Sequence, residues 1–357
     1  MTRAVVTGGG SAGHVVPAMP VIEALRAREW EITYIGSDSG LEERLVAPLS
    51  VPYVGVRPGK LRRYWSFDNV VDAFRVPLSI LQALRVLGRI RPDVVFSKGG
   101  FVAFPVVVAA WLRRIPVVAH ESDLSPGLAN RLTLPFIASL CVNFGTTGVN
   151  AKRVVHTGTP VRESLVRGNR DRGLAAAGFS GDRPVLAVFG GSLGAERLNL
   201  VVRDALSSLT RTFDVLHVCG TGKIDPAYLE VAGYEQRDFV GAEWGDILAA
   251  ADLVVSRSGA NSLYELLLLR KPNLLVPLPA SASRGDQIEN AAFAEARGFS
   301  MVVAEADLTS GLLLDRVTAL HDDAPSWRAR LQAFQAPDST GLIVSELEAA
   351  LKVRAKR

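Results

Sequence analysis

The chain of 357 residues is longer than one typical hydrophobic core needs, so two domains are expected. Hydrophobic residues make up 48% of it and charged residues 21%, as is ordinary for a soluble α/β protein, and no apolar run reaches the roughly 18 residues of a membrane-spanning helix. The net charge of +4 and the pI near 9.2 favour an anionic partner, which leaves nucleotides, nucleic acids and membrane surfaces open. Cys141 and Cys219 are far apart in apolar runs and are interpreted as buried free thiols.

Short β-branched runs alternate with helix-length segments, which is typical of parallel, doubly wound sheets. In the first half the pattern predicts strands at "AVVT", "EITYIG", "PYVGV", "DVVFSKG", "PVVAHE" and "LCVNF". A polar stretch after Pro160 interrupts the pattern, which restarts with "VLAVFGG", "DVLHVCG", "RDFVG", "DLVVSRSG", "NLLVPLP" and "SMVVAE". We therefore predict two Rossmann-like domains, residues 1–160 and 161–357, that face each other across a cleft. The last helix, after Pro337, is able to pack back on either domain.

Each predicted domain opens with a strand, a glycine-rich turn and a helix start, "VVTGGGSAGH" and "AVFGGSLGAERLN". Such a turn exposes backbone N–H groups at the positive end of a helix dipole, so it favours a phosphate. The first turn departs from the dinucleotide G-x-G-x-x-G pattern, and no Gly-Lys-Ser/Thr follows as in a Walker A motif. Two such turns across a cleft are suited to hold a diphosphate and a sugar.

His14 lies at the mouth of the first turn. An imidazole with a pKa near 6.5 is suited to take a proton from a hydroxyl group, and a helix N-terminus favours its neutral form. A capping or packing role for this histidine is the alternative.

The stretch "RSGANSLYEL" places a tight turn after a strand and then a helix that carries Glu265. A carboxylate among apolar residues must face solvent or accept hydrogen bonds from a ligand, and two ribose hydroxyls would suit it. The segment "SRGDQIENA" brings further polar side chains to a helix start beyond the end of the next strand. Open α/β sheets bind their ligands at that position.

Six segments in this order carry a family resemblance: "GGGSAGH", "HESDLSPGLANRL", "GTPVRESL", "GGSLGAERLN", "RSGANSLYEL" and "SRGDQIENA". Together they span nearly the whole chain, which resembles the MurG family of GT-B glycosyltransferases. The resemblance implies inverting transfer of N-acetylglucosamine from UDP-GlcNAc to the muramoyl 4-hydroxyl of lipid I, which forms lipid II in peptidoglycan synthesis.

The resemblance also implies the site residues. The catalytic candidates are His14 and Asp123, and the substrate-binding candidates are Ser11, Ala12, Gly13, Arg162, Ser192, Val240, Ala260, Asn261, Ser262, Leu263, Tyr264, Glu265 and Gln287. Two positions depart from the family's pattern: Ser11 and Ala12 replace Thr and Gly, and Asp123 stands where many relatives carry Asn. A carboxylate at position 123 could serve as the base itself or orient it.

No Asp-x-Asp pair that could hold a metal ion on a diphosphate occurs in the sequence, and the five histidines lack metal-ligand spacing. We therefore predict a reaction that needs no metal and no cofactor, with the leaving charge held by helix N-termini, backbone amides, Ser192 and Arg162.

Other functions are weaker interpretations of the same residues. An NAD-dependent dehydrogenase lacks its ribose-binding acid here, and a nucleic-acid-binding protein lacks a recognisable module, because the positive charge is dispersed. A GT-B relative with another acceptor, such as a diacylglycerol glucosyltransferase, and a UDP-GlcNAc epimerase stay open.

The segment "GKLRRYWSF" sets Lys60, Arg62 and Arg63 beside Tyr64, Trp65 and Phe67. Basic and aromatic side chains of this kind suit an anionic headgroup layer. We therefore predict a peripheral protein of the cytoplasmic face of the cell membrane. The helical pattern that follows is interpreted as a core helix.

Overall fold

The computed structural model describes residues 1–38, 40–57, 68–145, 149–191 and 194–355. The chain forms two compact units, Met1–Arg162 together with Pro337–Arg357, and Glu163–Ala336. The basic and aromatic segment at 60–67 and Ser192 lie outside the described residues.

The described residues contain thirteen strands, all paired in parallel. They are β1 Arg3–Thr7, β2 Glu31–Ser37, β3 Tyr53–Val56, β4 Val94–Ser97, β5 Val117–Glu121, β6 Ser139–Val142, β7 Val154–His156, β8 Val185–Phe189, β9 Asp214–Val218, β10 Tyr234–Arg237, β11 Leu253–Ser256, β12 Asn273–Leu275 and β13 Met301–Val302. The first unit has the strand order β3-β2-β1-β4-β5-β6-β7 and the second β10-β9-β8-β11-β12-β13. The predicted pair of Rossmann-like sheets is confirmed.

Helices cover both faces of each sheet, as parallel strands require. They are α1 Met19–Arg26, α2 Glu42–Val46, α3 Asp68–Ile90, α4 Ala103–Leu112, α5 Leu128–Thr133, α6 Glu163–Val166, α7 Arg170–Ala177, α8 Glu196–Leu209, α9 Trp244–Ala250, α10 Ala260–Leu268, α11 Asp286–Ala296, α12 Ser310–Asp322, α13 Ala324–Leu331 and α14 Ser339–Ala355. Among the described residues, none of these helices combines the length and the apolar character needed to cross a bilayer.

The last helix, α14, packs on the first unit rather than the second. Its apolar face, with Ile343, Val344 and Leu347, is buried against the core around β1 and β4. The guanidinium of Arg153 makes two hydrogen bonds to the Glu346 carboxylate, at 2.9 and 2.7 Å, and so ties α14 to the start of β7. The last helix thus takes the first of the two positions that the sequence left open.

Two strands differ from the sequence prediction. The strand β7 was not predicted, and β10 lies at Tyr234–Arg237, ahead of the predicted "RDFVG". Both are short edge strands with polar residues, so neither shows the continuous apolar run of a central strand. In β10 only the alternate residues Tyr234 and Gln236 are buried.

The strand order brings pairs of turns together. In the first sheet β1 lies between β2 and β4, and in the second β8 lies between β9 and β11. At these two places the order of strands reverses, and the turns that follow the two neighbouring strands open side by side. Ligands of open α/β sheets bind at such switch points.

Candidate active site

Two glycine-rich turns interlock at the switch point of the first sheet. The N–H of Gly9, after β1, donates to the carbonyl oxygen of Gly99, after β4, at 3.3 Å. A Cβ on Gly100 would lie 2.1 Å from the oxygen of Gly9, and Gly100 has a φ of +82°. Only glycine fits this approach, so the "SKGG" segment belongs to the same site as the predicted turn. A glycine pair directly after a buried strand was the sequence signal for it.

The Glu42 carboxylate lies against the first turn. It is 1% exposed, and its Oε1 accepts the N–H of Gly10 at 2.7 Å while its Oε2 accepts the hydroxyl of Ser37 at 3.2 Å. Burial, and then the charge of Glu42, raises the pKa of Tyr34 and Tyr53. The Glu42 carboxylate is therefore the anion bound at Gly10, and its negative charge repels a phosphate at that position.

The first turn continues into a short 3₁₀ helix, Ala12–His14, and not directly into an α-helix. Ser11 Oγ lies 2.9 Å from Nδ1 of the half-buried His14. For His14 to accept a proton at Nε2, its Nδ1 must carry the hydrogen and donate it to Ser11. The hydroxyl of Ser11 is thus placed to set the tautomer of the candidate base, while Ala12 and Gly13 form the backbone between them.

A buried carboxylate at the end of β5 builds the loop that carries Asp123. Glu121 is 5% exposed and accepts the N–H groups of Asp123 and Gly127, each at 3.0 Å, and the side-chain amide of Asn130 at 2.8 Å. Asp123 itself is half-buried. Glu121 therefore fixes the backbone that presents the second candidate base.

Lys98 is an interior ammonium beside this loop. It is 1% exposed, and its Nζ donates to the hydroxyl of Ser122 at 2.5 Å. Burial lowers the pKa of Lys98 to about 8, against the opposing attraction of Glu121 and Asp123. Burial, and then the charge of Lys98, lowers the pKa of His120 well below its usual value. Sequence reasoning did not single out Lys98, although a lysine that ends an apolar strand is the visible sign of a buried charge.

In the second unit a glycine turn follows β8, as predicted. Gly191 has a φ of +88° and Gly194 of +68°, and a Cβ on Gly194 would lie 2.0 Å from the carbonyl oxygen of Cys219. The turn leads into α8, whose apolar face packs into the core of the second sheet.

Glu265 lies on α10, which begins at the neighbouring turn after β11. Its Oε2 accepts the indole N–H of Trp244 at 3.1 Å, and the Trp244 ring meets Phe189, at the end of β8, edge to face at 4.8 Å. Glu265 is half-buried. The structure therefore brings this carboxylate to the switch point of the second sheet. Trp244, which sequence reasoning missed, orients it.

The first turn of α10 contains the half-buried Asn261 and Ser262 and the buried Ala260, behind the N-cap Gly259. The side chains of Leu263 and Tyr264 are buried, and Tyr264 packs edge to face on Phe334 at 5.5 Å. Leu263 and Tyr264 can therefore offer a ligand only their backbone.

Gln287 lies at the start of α11, next to the turn after β11. Its backbone oxygen accepts the hydroxyl of Ser258 at 2.7 Å, and its side-chain oxygen accepts the N–H of Leu278 at 3.1 Å. The amide is thereby anchored at its oxygen end, so Nε2 is the end that can meet a ligand.

Two further predicted residues, Val240 and Arg162, lie outside these turns in the sequence. Val240 is 8% exposed and packs on Leu216 and Ile247, so it too can offer only its backbone to a ligand. Arg162 is half-buried and is the last residue of the first unit before the chain enters the second. A search of the described residues finds no group of three or more His, Cys, Asp or Glu side chains that could hold a metal ion.

Known protein families match both units. The N-terminal domain model of glycosyltransferase family 28 matches residues 4–141, and its C-terminal domain model matches residues 185–340. A solved structure of Acinetobacter baumannii MurG is similar in fold, with a TM-score of 0.77, 24% identity, and coverage of 98% of this chain and 100% of that one. A Staphylococcus aureus MnaA–UDP structure has a TM-score of 0.71 at 14% identity over 99% of this chain and 98% of that one.

Curated relatives are more similar in sequence. A "UDP-N-acetylglucosamine--N-acetylmuramyl-(pentapeptide) pyrophosphoryl-undecaprenol N-acetylglucosamine transferase" of Legionella pneumophila (strain Paris) is 46% identical over 99% of this chain and 98% of its own length. The protein of the same name from Lachnoclostridium phytofermentans is 46% identical over 98% of this chain and 99% of its own. At this identity over the full length, the chain belongs to the MurG family within glycosyltransferase family 28.

Proposed function

We propose that this protein transfers N-acetylglucosamine from UDP-GlcNAc to the muramoyl 4-hydroxyl of lipid I, with inversion, and so forms lipid II in peptidoglycan synthesis. The observation that carries the proposal is the 46% identity, over nearly the whole chain, to transferases named for this reaction. The two switch-point sites supply the chemistry that such a transfer needs.

The second unit binds the donor. The Glu265 carboxylate, oriented by Trp244, accepts hydrogen bonds from the two ribose hydroxyls, and Gln287 Nε2 donates to the sugar. The backbone at Val240 meets the uracil. The glycine turn after β8, with Ser192, and the first turn of α10 supply N–H groups for the diphosphate, because the start of a helix carries partial positive charge.

The first unit binds the acceptor and removes its proton. The 4-hydroxyl oxygen attacks C1 of the sugar from the side opposite the diphosphate as the base takes the hydroxyl hydrogen, and the C1–O bond to UDP breaks. His14 is the base, with its tautomer set by Ser11, and Asp123 is the rival for that role.

UDP leaves with the bonding electrons as a diphosphate. The groups that hold its charge are the amides of the first turn of α10, Ser192 and Arg162. The mechanism therefore uses no metal ion.

The first unit also offers a surface for an anionic membrane. On α3 the side chains of Leu78 and Leu81 are 64% and 49% exposed, and exposed arginines, Arg75 and Arg85, lie on the same helix. Exposed Trp111 lies in the last turn of α4, the helix that packs on α3. Together with the predicted basic loop, this surface supports peripheral attachment to the cytoplasmic face of the cell membrane.

Two experiments test these proposals. Radiolabelled UDP-GlcNAc and a lipid I analogue should give a labelled disaccharide product, and an acceptor without the muramoyl 4-hydroxyl should give none. The transfer proposal is wrong if label goes to diacylglycerol, or if UDP-GlcNAc is epimerised without an acceptor.

In liposome co-sedimentation, binding should require anionic lipid and weaken when Arg62, Arg63 and Trp65 are all replaced. Equal pelleting of the variant would place the membrane surface elsewhere.

A further inference from the structure

Lys98 is a charged group at the first switch point to which the transfer mechanism assigns no task. Its side chain is 1% exposed, so its ammonium cannot reach a substrate. Burial lowers its pKa to about 8, and the charges of Glu121 and Asp123 oppose that shift. A desolvated positive charge is costly unless it is paired, and here Glu121 and Asp123 supply the attraction that keeps it charged.

The position of Lys98 connects the two candidate bases. Its backbone N–H donates to the oxygen of Thr7 at 2.8 Å, just before the turn that leads to His14. A Cβ added to Gly8 would lie 3.0 Å from the Lys98 Cβ and 2.6 Å from the oxygen of His14, so the three backbones are in close contact. At its other end, Lys98 Nζ bonds to Ser122, the neighbour of Asp123.

Glu121 restrains the loop at two backbone positions. It accepts the N–H groups of Asp123 and Gly127 and the side-chain amide of Asn130. What Lys98 adds is one bond to the Ser122 hydroxyl and a positive charge near the half-buried Asp123.

We propose that Lys98 is a positioning residue for the transfer step: through Ser122 and through its charge it holds the Asp123 loop, and the Asp123 carboxylate, in the arrangement that the reaction uses. This inference rests on the proposed transfer function. It assigns Lys98 no contact with the donor, which the second unit binds.

The principal test is Lys98→Met, which keeps the length of the side chain and removes its charge. We expect kcat with a lipid I analogue to fall about 10- to 100-fold, because small displacements of reacting groups have effects of this size, and the KM for UDP-GlcNAc to stay within about twofold. The melting temperature should fall, because removing one partner leaves the buried Glu121 carboxylate without its compensating charge, so kcat is compared well below the melting temperature of the variant.

Lys271→Met is the matched control. Lys271 is a half-buried lysine whose pKa is also lowered to about 8 by desolvation, but it lies in the second unit and donates to the carbonyl oxygens of Ala249 and Ala251. Its replacement should leave kcat unchanged. A folded Lys98→Met protein with a kcat within twofold of the native value would overturn the proposal.

A double-mutant cycle tests whether Lys98 acts through Asp123. Asp123→Asn should cost much less in the Lys98→Met background than in the native protein, because the two changes interrupt the same interaction. Fully additive losses would contradict the proposal. Should Lys98→Met fail to fold, Ser122→Ala decides the matter: it removes the hydrogen bond alone and should lower kcat about threefold to tenfold, and an unchanged kcat refutes the role.

Hydrogen exchange separates this inference from the transfer function. Lys98→Met should speed amide exchange in a peptide that covers residues 122–127, and Lys271→Met should not. If the native protein transfers no sugar, the proposed function fails, yet this measurement still tests the positioning of the loop. Exchange equal to that of the native protein would refute the positioning itself.

Discussion

Removal of the Glu265 carboxylate is the most direct test of the donor site. The carboxylate lies at the second switch point and accepts the Trp244 indole N–H at 3.1 Å. In the proposed complex it also accepts the ribose hydroxyls, so Glu265→Ala removes the acceptor of both. We expect the protein to bind UDP more weakly while the acceptor site of the first unit is unaffected.

The size of the loss follows from the charge. A hydrogen bond to an ionised group contributes about 1.5–3 kcal/mol, which corresponds to a roughly 13- to 160-fold rise in the Kd for UDP and in the KM for UDP-GlcNAc. Glu265→Gln keeps an acceptor oxygen without the charge and should give an intermediate loss. The half-buried indole N–H can turn to water, so the cost to folding should be near the low end of about 1–3 kcal/mol.

Isothermal titration calorimetry with UDP measures this effect without requiring turnover. Trp244→Phe is the matched control, because it removes the hydrogen bond that orients Glu265 and leaves the carboxylate in place. Its loss should be smaller than that of Glu265→Ala. If Glu265→Ala is folded by circular dichroism and binds UDP within twofold of the native Kd, the assignment of Glu265 to the ribose is wrong.

Three further predictions concern the base, the metal and acid stability. His14→Ala should lower kcat by about two to four orders of magnitude while UDP binding persists, and a milder loss than that from Asp123→Asn would exchange the two roles. Activity should persist in excess EDTA, and complete loss restored only by Mg²⁺ or Mn²⁺ would reveal a missed metal site. Burial lowers the pKa of His217 from 6.5 to about 3, so between these values the unfolded chain binds a proton and the folded protein does not. The contribution of this group to the free energy of unfolding is therefore complete above about pH 6.5. It falls by up to about 1.4 kcal/mol per pH unit as the pH drops towards 3. Urea unfolding at pH 7, 5 and 4 should show that the free energy of unfolding falls less with decreasing pH in His217→Gln than in the native protein. An equal fall in both proteins would contradict the lowered pKa of His217.

The sequence predicted the sheets because their central strands are buried on both faces and therefore appear as continuous apolar runs. Such runs predicted the central strands β1, β4, β5, β8 and β11. The turns after β1 and β8 were predicted from their glycine-rich motifs. Edge strands lack this signal, which is why β7 was missed and β10 was displaced by three residues.

The contacts that define the two sites could not be predicted, because they join residues distant in the chain. Gly10 and Glu42 are 32 residues apart, Lys98 and Ser122 are 24 apart, and Trp244 and Glu265 are 21 apart. Each pair depends on which turns the strand order brings together. A family motif also does not separate side chain from backbone: Tyr264 belongs to the motif, yet its ring packs in the interior.

The two switch points share a topology and differ in electrostatics, and this difference supports the proposed roles, with proton removal in the first unit and donor binding in the second. In the first unit the Glu42 carboxylate accepts the N–H of Gly10, so a phosphate is unfavourable at that amide. Glu121 and Asp123 add negative charge beside Lys98. A site with this charge is well suited to take a proton from a neutral hydroxyl. In the second unit the N-cap of α10 is Gly259, which has no side chain to accept the first amides of the helix. We expect the diphosphate to lie at this helix start, where the partial positive charge of the helix favours the leaving charge. A carboxylate introduced by Gly259→Asp would cap the helix as Glu42 caps the first turn. It should therefore weaken UDP binding at least tenfold without lowering the melting temperature, and undiminished binding would show that the diphosphate lies elsewhere.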